Sequence, residues 1–168
     1  MKDIIVHPIQ MALAAEAGAS ATVLMACVLG PALKDMMDMA TTMGTETIVE
    51  VHTPAECQKA LEYGATVIMM NNWDRITGKL YPKQTMGLRY MVPDEILTIA
   101  AGGIDSAGKA AMVSDEGYDG VVLGRALAAA ERAGGGGMEG LVGAVAGRVG
   151  LPRNFLGMGA SKEDLFGE

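Results

Sequence analysis

Short apolar runs alternate with longer stretches of helical periodicity along most of the chain, and few folds accommodate this pattern. The runs lie at residues 4–6, 22–28, 47–51, 66–70, 95–100 and 120–123. They are rich in aliphatic residues, which is typical of strands buried on both faces of a parallel sheet. The alternation predicts six parallel strands with outer helices, either in an open doubly wound sheet or in part of an eight-stranded barrel.

Residues that begin helices stand between these runs. Thr53 is a suitable N-cap, with Pro54 at the first helical position and Glu56 at the third, a pattern that resembles a capping box. Asp105 or Ser106 is expected to cap the helix that runs to about residue 116.

Composition and charge exclude several classes of function. The formal net charge is -7 and no run of Lys or Arg is present, whereas a nucleic-acid-binding protein needs a basic face to displace counterions. No apolar run reaches the ~20 residues of a membrane span. The sequence therefore predicts neither nucleic-acid binding nor a membrane span, and it gives no sign of a cofactor. A small phosphorylated ligand is compatible with it, because backbone N–H groups and one Arg can hold a phosphate.

The two cysteines and two histidines are not arranged as a metal site. Cys27 and Cys57 lack a Cys-x-x-Cys spacing, so we interpret both as small buried hydrophobes in a reducing compartment. His7 and His52 each stand beside a strand-like run, and we interpret them as hydrogen-bonded neighbours rather than ligands. No metal centre is predicted.

The glycine run at residues 134–137 divides the chain. Residues 1–133 form the predicted domain, and residues 134–168 are interpreted as a Gly-rich linker and C-terminal tail. The tail has enough apolar residues to dock on a preformed surface, including Leu141, Val145 and Phe155.

Six segments of the domain carry more specific information. They are residues 2–10 (KDIIVHPIQ), 18–29 (GASATVLMACVL), 44–52 (GTETIVEVH), 68–74 (IMMNNWD), 100–104 (AAGGI) and 120–127 (GVVLGRAL). In order and spacing they resemble the third to eighth strands of the indole-3-glycerol-phosphate synthases, lyases of tryptophan biosynthesis. The resemblance implies an incomplete (βα)8 TIM-type barrel.

The resemblance also implies roles for three polar residues at strand ends. The family reaction closes a pyrrole ring with loss of CO2 and water, which requires an acid and a base. Lys2 falls on the position of the general acid, Glu50 on that of the general base, and Asn71 on that of an Asn that contacts the substrate. In barrels of this kind, chemistry takes place at the C-terminal ends of the strands. Burial among apolar strands is expected to raise the pKa of Glu50 toward neutrality.

The last two strands of the resemblance carry the phosphate end of the site. Gly103 and Gly124 form turns after these strands, and Arg125 follows at the start of a helix. Such turns present N–H donors and a favourable helix dipole to an anion.

Three departures from the family pattern bear on catalysis. The family's first strand, with an essential Glu and Lys, and its second strand have no counterpart in this sequence. A Glu-Ser pair is replaced by Ala101 and Gly102, and an Arg by Trp73. Loss of members of a cooperating constellation can cost several powers of ten in rate.

Three functional hypotheses follow from this pattern. The first is a catalytically impaired relative that serves as a structural subunit of a larger assembly. The second is an active lyase fragment that converts carboxyphenylamino-deoxyribulose phosphate to indole-glycerol phosphate, and the third is a sensor that only binds a phosphorylated ligand. Because six strands leave two exposed sheet edges, we expect a protein partner or a further N-terminal segment. The family implies a cytoplasmic location in a bacterium and a plastid location in an alga or plant.

Overall fold

A parallel sheet forms the centre of the computed structural model, which describes residues 1–133 and 137–146. Its strands lie side by side in chain order, and each is paired in parallel with the next. The strands are β1 (Ala21–Met25), β2 (Glu46–Val51), β3 (Val67–Asn71), β4 (Leu97–Ala101) and β5 (Gly120–Val122). This is an α/β fold, and its open sheet corresponds to part of a (βα)8 barrel.

Helices connect consecutive strands and cover one face of the sheet. They are α1 (Pro8–Glu16), α2 (Ala26–Leu29), α3 (Leu33–Thr42), α4 (Pro54–Glu62), α5 (Gln84–Arg89), α6 (Ala107–Asp115), α7 (Arg125–Ala133) and α8 (Gly137–Ala146), with a 3-10 turn at Gly30–Ala32 before α3. None of the helices in the described ranges is long and apolar enough to cross a membrane.

The prediction of six strands is wrong by one, because residues 4–6 do not form a strand. The side chain of Gln10 occupies the backbone groups of this segment: its Oε1 accepts from Val6 N at 2.8 Å, and its Nε2 donates to Ile4 O at 3.1 Å. The segment therefore forms a loop that leads into α1. Pairing with β1 is limited to Met1, whose carbonyl accepts from Val23 N at 2.9 Å.

The run at residues 22–28 also differs from its prediction. Its second half, from Ala26, is the short helix α2 rather than strand. The run is apolar throughout, and a buried strand and a buried helical turn cannot be told apart by composition. As a result, Cys27 lies just past the C-terminal end of β1.

The predicted N-cap residues are confirmed. Thr53 Oγ1 accepts from Glu56 N at 3.2 Å at the start of α4, and Ser106 Oγ accepts from Lys109 N at 3.4 Å before α6. In a capping box the Glu56 carboxylate would accept from Thr53 N. It accepts from His52 N at 2.8 Å, so this contact is shifted by one residue.

The two faces of the sheet have separate apolar clusters. Leu24, Val49 and Ile68 are fully buried against the helices. The opposite face, which corresponds to the barrel interior, has a smaller cluster that includes Val23 and Met69. Because side chains alternate along a strand, Val49 of β2 faces the helices and Glu50 faces the interior.

The predicted linker and tail are only partly within the described residues. Helix α8 contacts α6 and α7, and it packs a buried Val145 and a half-buried Leu141 against the core. The predictions for residues 134–136 and 147–168, including docking through Phe155, lie outside the described residues.

Candidate active site

A buried carboxylate stands at the centre of the site. Glu50 is 0% exposed at the C-terminal end of β2, yet four side chains from the described residues reach it. Lys2 forms a short ion pair with its Oε2. Asn71 Nδ2 donates to Oε1 at 2.8 Å, Arg75 Nε donates to the same oxygen at 3.4 Å, and His52 Nε2 lies 3.3 Å from it. The cluster joins the ends of β2 and β3 to the N-terminal residues.

The partners of Glu50 determine its ionisation. Burial raises its pKa, but contacts with His52, Lys2 and Asn71 outweigh burial and lower the pKa to about 2. The expectation of a pKa near neutrality is therefore wrong. Burial does oppose the charge, but a carboxylate paired with cationic and amide groups keeps its charged form.

His52 lies between two carboxylates. It is 2% exposed, and its Nδ1 lies 3.3 Å from Glu56 Oε2, on the side opposite Glu50. Burial lowers the pKa of the imidazole, but Glu50 and Glu56 raise it to about 9. The pKa of Glu56 is lowered, since hydrogen bonds from His52 and Thr53 overcome its burial.

A cavity of about 690 Å³ opens beside this cluster at the C-terminal ends of the strands. We call it the strand-end cavity; its lining includes Lys2, Asn71, Gly103, Gly124 and Arg125. Glu50 lies beneath its wall and reaches it through Lys2 and Asn71. The end of β5 and the first turn of α7 thus share one cavity with the polar cluster.

The loop after β3 closes one side of the strand-end cavity. Trp73 forms an antiparallel bridge with Leu80, and the guanidinium of Arg125 lies 4.3 Å from the centre of the Trp73 ring. This distance is within the range of a cation–π interaction. Trp73 and Arg125 thus contact each other where both line the strand-end cavity.

The close approach between the ends of β3 and β4 depends on Gly102. Its φ is +84°, and an added Cβ would lie 2.5 Å from Asn71 Oδ1 and 2.8 Å from Trp73 N. Asn71 Oδ1 is itself held by a hydrogen bond from Trp73 N at 2.9 Å. Because there is no room for a side chain at position 102, the orientation of Asn71 toward Glu50 depends on this glycine.

All six residues singled out from the sequence meet at this end of the sheet, although their chemical roles stay predictions. Sequence reasoning missed the contacts of Arg75 and His52 with Glu50. The spacing of His52 and Glu56, four residues apart across a helix start, could have suggested their contact. No comparable signal marked Arg75, which lies in the irregular loop after β3.

Comparisons with known proteins agree with this architecture. A solved structure described as "Native KDPGal structure" superposes with a TM-score of 0.62 at 23% identity, covering 86% of this chain and 65% of that one. At this identity the likeness bears on the fold alone.

Sequence relatives identify the family. The indole-3-glycerol phosphate synthase of Dehalococcoides mccartyi is 33% identical over 129 residues, which are 76% of this chain and 50% of the relative. That of Lactiplantibacillus plantarum is 35% identical over 127 residues, 75% of this chain and 49% of the relative. The chain thus spans about half the length of the curated relatives it matches. The family model for indole-3-glycerol phosphate synthase matches residues 1–134, and the chain therefore belongs to the indole-3-glycerol phosphate synthase family.

Proposed function

We propose that this chain binds a phosphorylated ligand of the indole-3-glycerol-phosphate synthase type, turns it over poorly in this form, and serves as a subunit of a larger assembly. One observation carries the proposal. Lys2 and Asn71, with Glu50 behind them, share the strand-end cavity with Gly103, Gly124 and Arg125. An anilino-sugar phosphate needs polar groups at one end and a phosphate site at the other, and this arrangement of residues supports the binding of such a ligand.

The phosphate end is built from backbone and one guanidinium. Gly124 lines the cavity directly before the first turn of α7, and the N–H groups and dipole at a helix start favour an anion. Arg125 adds a positive charge at the same place. Gly103 supplies a second turn, with φ of +73°, at the end of β4.

The state of the proposed acid and base supports impaired turnover. Lys2 is the proposed acid and Glu50 the proposed base, but they are paired with each other. A carboxylate with a pKa of about 2 accepts a proton poorly near neutral pH, where an effective base has a pKa close to the working pH. Ala101 also lines the cavity without an acidic group.

A role in a larger assembly is supported by exposed apolar surface beside β1. Ile4 and Val6 are 56% and 63% exposed in the N-terminal loop, and Ile9 and Leu13 are 55% and 57% exposed one turn apart on α1. Within the described part of the chain, Met1 is the only residue that pairs with the free edge of β1, and open edges favour pairing with another strand. We propose that the occupant of this surface is polypeptide that supplies further barrel strands.

The alternative is an active lyase portion, and the intact contacts among Lys2, Glu50 and Asn71 favour it. On this alternative, substrate binding separates Lys2 from Glu50 and frees both for proton transfer. Completion of the barrel by another polypeptide would then raise the rate to ordinary enzyme values.

Ligand binding is tested by fluorescence, because Trp73 is the single tryptophan and lies at the strand-end cavity. Titration with carboxyphenylamino-deoxyribulose phosphate should change the emission saturably. Arg125→Ala should weaken binding, whereas Arg132→Ala, at the exposed end of the same helix, should leave it unchanged. Equal affinity in both variants would contradict the placement of the phosphate.

A further inference from the structure

Three side chains with metal-binding atoms converge behind Glu50, away from the proposed phosphate site. Cys27 Sγ, a ring nitrogen of His52 and a carboxylate oxygen of Glu56 all lie within 4.8 Å of one another. They come from three elements: Cys27 from α2, His52 from the residue after β2, and Glu56 from the first turn of α4. Sequence spacing does not reveal this group, because the fold brings Cys27 next to residues more than twenty positions away.

The donor set matches the preferences of zinc. Zn²⁺ binds thiolate, imidazole and carboxylate ligands, and sites with three protein ligands keep a fourth position open. With Zn–N and Zn–O near 2.0–2.2 Å and Zn–S near 2.3 Å, tetrahedral ligand atoms are roughly 3.3–3.6 Å apart. His52 Nδ1 and Glu56 Oε2 already lie 3.3 Å apart. Cys27 Sγ lies within 4.8 Å of the other two ligand atoms, so closure requires it to approach by roughly 1.2 Å at most.

The groups around these side chains are those that orient metal ligands. His52 Nε2 is buried and has no hydrogen-bond partner among the described residues, although it lies 3.3 Å from Glu50 Oε1. Thr53 Oγ1 donates to the other oxygen of Glu56 at 3.1 Å. A histidine that binds metal through one nitrogen and faces a carboxylate with the other is a recurrent arrangement.

We propose that Cys27 Sγ, His52 Nδ1 and Glu56 form a binding site for one Zn²⁺ ion, with Glu50 as the carboxylate that orients His52. The sequence predicted no metal centre, and this site does not depend on the lyase-type function proposed above. The competing explanation is that the His52 imidazolium alone neutralises Glu50 and Glu56, so that no metal binds.

Cobalt titration distinguishes the two, since Co²⁺ reports its ligands by absorbance. The full chain, freed of metal with a chelator and kept in a non-thiol reductant, is titrated with Co²⁺ alone. We expect one equivalent to bind with a thiolate-to-cobalt charge-transfer band, and Zn²⁺ to abolish that band. Cys27→Ser should remove the band, and His52→Gln should weaken binding at least tenfold.

Matched controls exist because the chain has only two cysteines and two histidines. Cys57→Ser and His7→Gln should retain the band and its stoichiometry. Glu50→Gln should keep the band but weaken binding roughly 10- to 100-fold, as loss of an outer-shell partner does. Circular dichroism shows whether Cys27→Ser folds. If it does not fold, the thiolate band of the wild type and its persistence in Cys57→Ser decide whether Cys27 binds the metal. Absence of a thiolate band in the wild type, or its loss in Cys57→Ser, would overturn the site.

Discussion

The substitution Gly102→Ala tests whether the ends of β3 and β4 are as tightly fitted as the site requires. Two costs add at this position. The left-handed φ of +84° costs a residue with a Cβ about 1–2 kcal/mol. The Cβ would also lie 2.5 Å from Asn71 Oδ1 and 2.8 Å from Trp73 N, and overpacking of this kind costs about 1–3 kcal/mol. The sum predicts a loss of about 2–5 kcal/mol in the free energy of unfolding.

Two control glycines separate these contributions in equilibrium urea unfolding. Gly64 has φ of +81° and nothing within 4 Å of its Cβ position, so Gly64→Ala should lose only the conformational part, about 1–2 kcal/mol. Gly108 has no left-handed φ and equally open surroundings in α6, so Gly108→Ala should lose nothing. If Gly102→Ala costs no more than Gly64→Ala, the two strand ends can separate freely, and the orientation of Asn71 is not fixed by packing.

Three further predictions concern charge, ligand and surface. In the presence of a chelator, the free energy of unfolding should be highest between pH 4.5 and 6.5. The reason is that folding lowers the pKa of Glu50 from 4.5 to about 2 and raises the pKa of His52 from 6.5 to about 9. Stability is then lost as pH falls through 2 or rises through 9, and denaturant unfolding of Glu50→Gln across pH should show both limbs flattened; unchanged limbs would contradict the pairing. In a fluorescence titration, Arg125→Ala should weaken binding of the phosphorylated ligand about 10- to 100-fold, and Arg132→Ala should leave it unchanged. An equal loss of affinity in both variants would indicate a general charge effect. Leu13→Lys should weaken association of the chain through the α1 surface, measured by sedimentation velocity. Met112→Lys, at a residue 58% exposed on α6, should not weaken it. If neither substitution changes association, the α1 surface is not the interface.

The sequence predicted the parts of the fold that are decided locally. Thr53 and Ser106 cap their helices as expected, because a hydroxyl before a helical stretch satisfies nearby N–H groups. The segment from Ile4 to Val6 has the composition of a strand, but Gln10 competes for its backbone groups through contacts that no periodicity records. The helix at Ala26–Leu29 was missed because its residues are as apolar as those of β1.

The candidate site was predictable in position but not in electrostatics. The family pattern placed Glu50 and Asn71 at neighbouring strand ends, and parallel strands in register bring such ends together. Contacts with Lys2 and His52 lower the pKa of Glu50. Burial among apolar neighbours, which the sequence does indicate, raises it instead. The approach of Cys27 to His52 and Glu56 depends on where β1 ends, which the sequence did not define.

The most direct test of the central claim measures binding and turnover of the same ligand on the same purified chain. Carboxyphenylamino-deoxyribulose phosphate is incubated with the protein, bound ligand is determined by equilibrium dialysis, and indole-glycerol phosphate is followed at steady state. We predict saturable binding that depends on Arg125, without turnover at ordinary enzyme rates. Ordinary rates would establish an active lyase and contradict impairment, and absence of binding would contradict the assignment of the strand-end cavity.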